Sequence, residues 1–115
     1  MTPWQELNAK NLHRVPKNIL GIFQLAKEVD KIAYVGRADA DLHDSLEGFL
    51  STDYRYFQWV RVPWTKEGFE MQCRLYHHGG GRSLENSTHP FPPQGEAWNC
   101  PLSCKPAAIC EEQYS

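Results

Sequence analysis

At 115 residues and 13.3 kDa the chain has the size of one domain, and its 41% hydrophobic and 12% aromatic content is enough for a core, which excludes the low-hydrophobicity disordered class. Twelve Lys and Arg against fourteen Asp and Glu leave a net charge of −2, so a basic nucleic-acid coat protein is excluded and any nucleic-acid contact must come from a local patch. No apolar run is long enough to span a membrane, and the start, Met1 to Glu6, lacks the basic and apolar stretches of an export signal; the expectation is a soluble, cytoplasmic protein.

In chain order, residues 1–20 read as an N-terminal helical arm. Thr2 can cap a helix, Pro3 suits its first turn, Trp4, Leu7 and Leu12 would face the core, and Pro16 ends it. Gly21–Ala26 and Lys31–Gly36, short and rich in β-branched and aromatic residues, read as a hairpin turning at Glu28–Asp30. Asp39 or Asp41 can start a helix in which Leu42, Leu46, Phe49 and Leu50 recur at helical spacing. Tyr56–Val62 alternates as a third strand that Pro63 stops. Thr65 is then expected to cap a helix with Phe69, Cys73 and Tyr76 on its apolar face, terminated by Gly79–Gly81. Residues 83–115 form a Pro-rich crossing segment, expected to pack through Phe91 and Trp98, and a Cys-containing tail. The order predicts a small α/β domain: a mainly antiparallel three-stranded sheet flanked by helices, with its core at 21–82.

Gly21-Ile22-Phe23, then Tyr34-Val35-Gly36, then Asp41-Leu42 opening a helix, resemble the GIY-YIG nuclease family in order and spacing. Phe69 to His77 is similar to that family's glutamate-bearing helix, and His89-Pro90 with Trp98-Asn99-Cys100-Pro101 is similar to the end of small stand-alone members. The resemblance covers residues 16–104. It implies metal-dependent hydrolysis of phosphodiester bonds in nucleic acid, DNA foremost. Glu70 would bind Mg²⁺ or Mn²⁺, Tyr34 would relay a proton from water, Arg37 would contact phosphate, and Gly21 and Gly36 would let the two strands approach the site closely. Domains of this size often need a second copy or a protein partner to grip DNA.

Two positions depart from the family pattern. Phe23 replaces the first motif's tyrosine, and Ser45 stands where an Arg is expected. Losing a phosphate-facing donor costs about 3–4 kcal/mol of transition-state stabilisation, so cleavage is expected to be slow or conditional. The alternative is a GIY-YIG-fold module that binds nucleic acid or protein without efficient cleavage. Glu70 also has a plain role open to it, a surface pair with Arg74 four residues on, and Tyr34 can be a half-buried strand tyrosine.

Of four cysteines, Cys100, Cys104 and Cys110 could offer three thiolates to zinc, with His77, His78, His89 or Cys73 as a fourth ligand; free thiols partly buried under the Pro-rich segment are the plain alternative. Of the adjacent His77 and His78, one is expected to pack and one to be exposed, and His43 is expected at the surface. Tyr54, Tyr56, Phe57, Trp59 and Trp64 could stack on bases, though strand alternation more simply divides them between core and surface.

Overall fold

The computed structural model describes residues 1–86 and 88–102. Its framework is a four-stranded antiparallel sheet. Strand β1 is Gln5–Glu6, β2 Gly21–Glu28, β3 Lys31–Ala38 and β4 Tyr56–Arg61, ordered β1-β4-β2-β3 across the sheet. Helices α1 (Ala9–Leu12) and α2 (Leu42–Glu47) lie towards one face, and α3 (Thr65–His78) covers the other. No helix among the described residues is long and apolar enough to cross a membrane.

The hairpin, α2, β4 and α3 lie in the windows their patterns mark, but β2 and β3 run two residues further than expected, β4 stops one short at Arg61, and α2 ends at Glu47, leaving Phe49 and Leu50 outside it. The turn is tight because Asp30 adopts a left-handed backbone, φ 66°, which Asp tolerates better than most residues. Asp41 caps α2 through its side chain, which accepts from the Asp44 N–H at 3.3 Å.

The N-terminus departs from expectation. Only Ala9–Leu12 is helical, capped by Asn8 rather than Thr2. Residues 2–7 instead run beside β4: the Thr2 N–H donates to the Trp59 carbonyl at 3.0 Å, the Thr2 hydroxyl accepts from the Trp59 N–H, and the Leu7 N–H donates to Arg55. This segment turns the expected three-stranded sheet into four strands. An amphipathic stretch of this length gains more from pairing with an open strand edge than from an isolated helix, whose nucleation is costly. Thr65 is likewise the first residue of α3 and not its cap; Trp64 holds the cap position with no side-chain bond.

Strand alternation separates two cores. Phe23, Leu25, Leu42, Leu46 and Phe57 pack with Leu12 and Val15 on the α2 face; Ile22, Val35, Val62 and Tyr76 pack on the α3 face. Residues of the expected aromatic platform divide between core and surface: Phe57 is fully buried, Tyr54 and Trp59 are partly buried against the first core, and Trp64 is exposed. His43, expected at the surface, is buried; its Nδ1 meets the Val15 carbonyl at 3.0 Å and its Nε2 the Glu47 carboxylate at 2.6 Å.

The chain after α3 returns along the outer edge of β3. The Glu85 N–H donates to the Ala33 carbonyl at 2.6 Å. The Asn86 amide grips both polar groups of Val35, accepting from its N–H at 3.0 Å and donating to its carbonyl at 2.7 Å. An edge strand is thereby sealed by one side chain. Asn86→Ala is expected to cost about 1–3 kcal/mol, the penalty of unpairing the part-buried Val35 N–H, while the Val35 carbonyl keeps the Gln72 amide at 3.2 Å, and to speed exchange of the Val35 amide. Urea unfolding and amide exchange check both; a variant with unchanged exchange at Val35 would refute this role.

Candidate metal centre

Helix α3 spaces its buried residues so that Phe69, Cys73 and Tyr76 form a stripe against the rest of the domain. Cys73 sits in the middle of that stripe, fully buried. Four residues on, one helical turn along the same face, comes His77, half-buried, while its neighbour His78 points to solvent.

The Pro-rich segment crosses this stripe. Prolines cannot join a ladder or a helix interior, so the segment forms neither strand nor helix among its described residues and is anchored by buried side chains. His89 and Cys100 are both fully buried, Pro90 is buried between them in sequence, and Trp98 packs on Phe69 with ring centroids 6.2 Å apart. Phe91, expected to be an anchor, is instead about half exposed. A Pro-flanked aromatic can turn outward because His89 and Cys100 supply the anchorage.

The ligand atoms of Cys73, His89 and Cys100 lie within 4.8 Å of one another. His77 touches two of the three: its Nε2 is 3.1 Å from the His89 Nε2 and 3.5 Å from the Cys100 Sγ. The His89 Nδ1 lies 2.7 Å from the Pro90 carbonyl. A carbonyl only accepts, so Nδ1 carries the proton and Nε2 presents its lone pair to the cluster. A backbone carbonyl holding the far nitrogen is how proteins orient an imidazole that ligates metal.

Burial pushes the Cys73 thiol well above the ordinary cysteine value and the adjacent Cys100 pushes it further, with Glu70 adding to this and Arg37 opposing it. Burial, and then His89, hold His77 below the usual histidine value, leaving it a neutral donor at pH 7. Burial thus keeps these groups neutral in the free protein, and a bound divalent cation would favour the thiolate form. Thiolate and imidazole suit zinc, not magnesium, which prefers oxygen.

The residues implied by the resemblance are placed differently. Tyr34 and Arg37 line one polar cavity of about 260 Å³ with Gln72, Asn86, Thr88 and His89. Within it they come from opposite faces of β3. The Tyr34 ring lies with Phe23, Phe49 and Tyr54 on the α2 face, and burial raises its phenol above the ordinary tyrosine value. The Arg37 guanidinium lies over Phe69 on the α3 face, donating to Gln72 at 3.0 Å and to Asp39 at 2.8 Å. It stands on the far side of the sheet from α2, the helix that carries Ser45. Glu70, half-buried on α3, does not line this cavity, and among the described residues it makes no ion pair with Arg74.

Both glycines are explained by packing. A Cβ on Gly21 would meet the Leu42 side chain and the Val60 carbonyl at 2.8 Å; a Cβ on Gly36 would overlap the ring of Phe23, its cross-strand partner. Cys104 and Cys110 lie outside the described residues. Sequence reasoning gave Cys100 to a tail cluster and held Cys73 in reserve. The missed signal was the Cys73–His77 spacing of four, which puts both side chains on one helix face.

Comparison of the chain with models of known protein families, with curated proteins and with solved structures finds no match. The GIY-YIG resemblance therefore rests on the residues themselves.

Proposed function

We propose that this chain is a zinc-braced binding module on a GIY-YIG-like scaffold, contacting nucleic acid without efficient phosphodiester hydrolysis. The observation that carries the reading is the convergence of Cys73, His89 and Cys100, three buried residues of zinc-ligand type, where the crossing segment meets α3. Zinc here would supply folding free energy, as structural sites in small domains do. The scaffold likeness is supported by the strand–strand–helix–strand–helix order, with β2 central between its hairpin partner and β4. Weak hydrolysis is supported by Phe23 and Ser45 in place of a hydroxyl and a guanidinium, by the raised Tyr34 phenol and by the absence of Glu70 from the cavity that Tyr34 and Arg37 share.

A nuclease using Mg²⁺ or Mn²⁺ on Glu70 is the second reading, favoured by Tyr34 and Arg37 lining one cavity. One pair of experiments separates the two. The purified full chain is expected to carry about one equivalent of zinc by metal analysis. Incubated with labelled plasmid and single-stranded DNA plus Mg²⁺ or Mn²⁺, wild type and Glu70→Ala are expected to give the same traces, with salt-sensitive retention of the single strand. Metal-dependent nicking that disappears in Glu70→Ala would restore the nuclease; a zinc-free folded protein would remove the brace.

A further inference from the structure

We infer that His77 is the fourth ligand, so that Cys73, His77, His89 and Cys100 form a closed Cys₂His₂ centre whose task is to fasten the crossing segment to α3. This rests on the zinc reading above and adds its coordination, and with it the role of the ion.

The geometry is the argument. Tetrahedral zinc, with bonds of about 2.0–2.1 Å to imidazole and about 2.3 Å to thiolate, holds two nitrogens about 3.3 Å apart and a nitrogen and a sulfur about 3.6 Å apart. The His77–His89 nitrogens stand 3.1 Å apart and the His77–Cys100 pair 3.5 Å. Two of the three tetrahedral edges that His77 would form, those to His89 and Cys100, match the size of the ion, and Cys73 joins the set through His89 and Cys100, with which its sulfur lies within 4.8 Å.

The backbone explains why this set closes. Cys73 and His77 occupy one face of a regular helix a turn apart, a rigid bidentate base. His89 and Cys100 arrive from a segment that forms no strand or helix among its described residues, where the Glu96 N–H donates to the Pro93 carbonyl at 3.0 Å in a local turn. Two ligands from a stiff element and two from a weakly held one make a clamp. With four protein ligands no position is left for water or substrate, which marks a structural site and not a catalytic one. His89 also walls the cavity of Tyr34 and Arg37, so the clamp fixes that wall as well.

The test uses the full chain loaded with zinc or, for spectroscopy, with Co²⁺. X-ray absorption of the zinc form is expected to give two sulfur and two nitrogen neighbours; three sulfurs would put a tail cysteine in the fourth position and overturn the assignment. His77→Ala is expected to weaken Co²⁺ binding by about 100-fold or more and to bleach the intense visible bands of tetrahedral Co²⁺ as water enters. His77→Cys should restore those bands with added thiolate charge transfer, which also answers the case in which His77→Ala fails to fold. His78→Ala, on the exposed neighbour, should match wild type. Wild-type affinity and spectrum in His77→Ala, or a loss that appears in His78→Ala, Cys104→Ser or Cys110→Ser instead, would overturn His77 as ligand while leaving a metal site standing. A wild-type chain that takes up neither Zn²⁺ nor Co²⁺ would fail at the earlier step, the zinc reading itself.

Discussion

Stripping zinc from the loaded protein with a chelator is expected to lower the unfolding midpoint by about 15 °C or more. A ligand present at about a thousand times its dissociation constant stabilises the folded state by about 4 kcal/mol, and each kcal/mol moves the midpoint of a domain this size by about 4 °C. The loss should be local before it is global. Trp98 rests on Phe69 beside Cys73 and Cys100, in a small core with few other contacts. Release of the ion frees the segment that carries Trp98, so tryptophan fluorescence should shift at chelator concentrations below those that unfold the sheet. The two larger cores are built from β2, β3, β4 and the helices, and no ligand residue belongs to either. Thermal scans with and without chelator, followed by fluorescence and by far-ultraviolet circular dichroism, check this. Coincident midpoints unmoved by chelator would show that the segment holds by packing alone.

Gly36→Ala is expected to destabilise by about 3 kcal/mol, at the upper end for overpacking of a core, or about 12 °C in the midpoint. Gly36 faces Phe23 across the β2–β3 pair, and an added methyl would overlap three atoms of that ring. The ring has little room to retreat: it is almost fully buried and meets Phe49 edge-on at 5.6 Å and Tyr34 at 6.3 Å. Phe23→Leu in the same chain should remove the clash, so the double variant should be more stable than the sum of the two single losses by at least about 1 kcal/mol. Denaturant unfolding of the four proteins closes the cycle. Were Gly36 needed only so that backbone could approach a bound strand, the alanine would weaken nucleic-acid binding and leave stability alone, and the cycle would show no coupling.

The Gly36 cycle bears on how the motif residues are to be understood. The glycine of the second motif and the phenylalanine of the first are partners in packing, which accounts for both without a ligand. Sequence order alone could not separate that reading from a catalytic one, because a glycine forced by a neighbour's ring and a glycine that admits a substrate look identical in one chain.

The local pattern was enough for the elements whose periodicity is strong. The hairpin of β2 and β3, the Asp41 cap of α2, strand β4 and the buried stripe of α3 all follow from alternation, helical spacing and turn chemistry within short windows. The arm failed for a related reason: Thr2–Leu7 carries no strong local preference, and an open edge on β4, more than fifty residues away, decided its conformation.

The site divides the same way. Composition and spacing alone determined that the chain holds cysteines and histidines in numbers that suit zinc, and that position 23 is a phenylalanine and position 45 a serine. Only the tertiary structure decided which of those cysteines and histidines meet. Ligands for an ion are chosen by distance in space, and here the chain runs from the middle of α3, around the edge of β3 and back through an extended proline-rich crossing before His89 and Cys100 come to rest beside Cys73 and His77. Alternation along β3 sends Tyr34 and Arg37 to opposite faces, since positions three apart in a strand cannot share a side, and only the fold decided that both still line one cavity, because Asn86, Thr88 and His89 of the returning chain close it at the strand's edge.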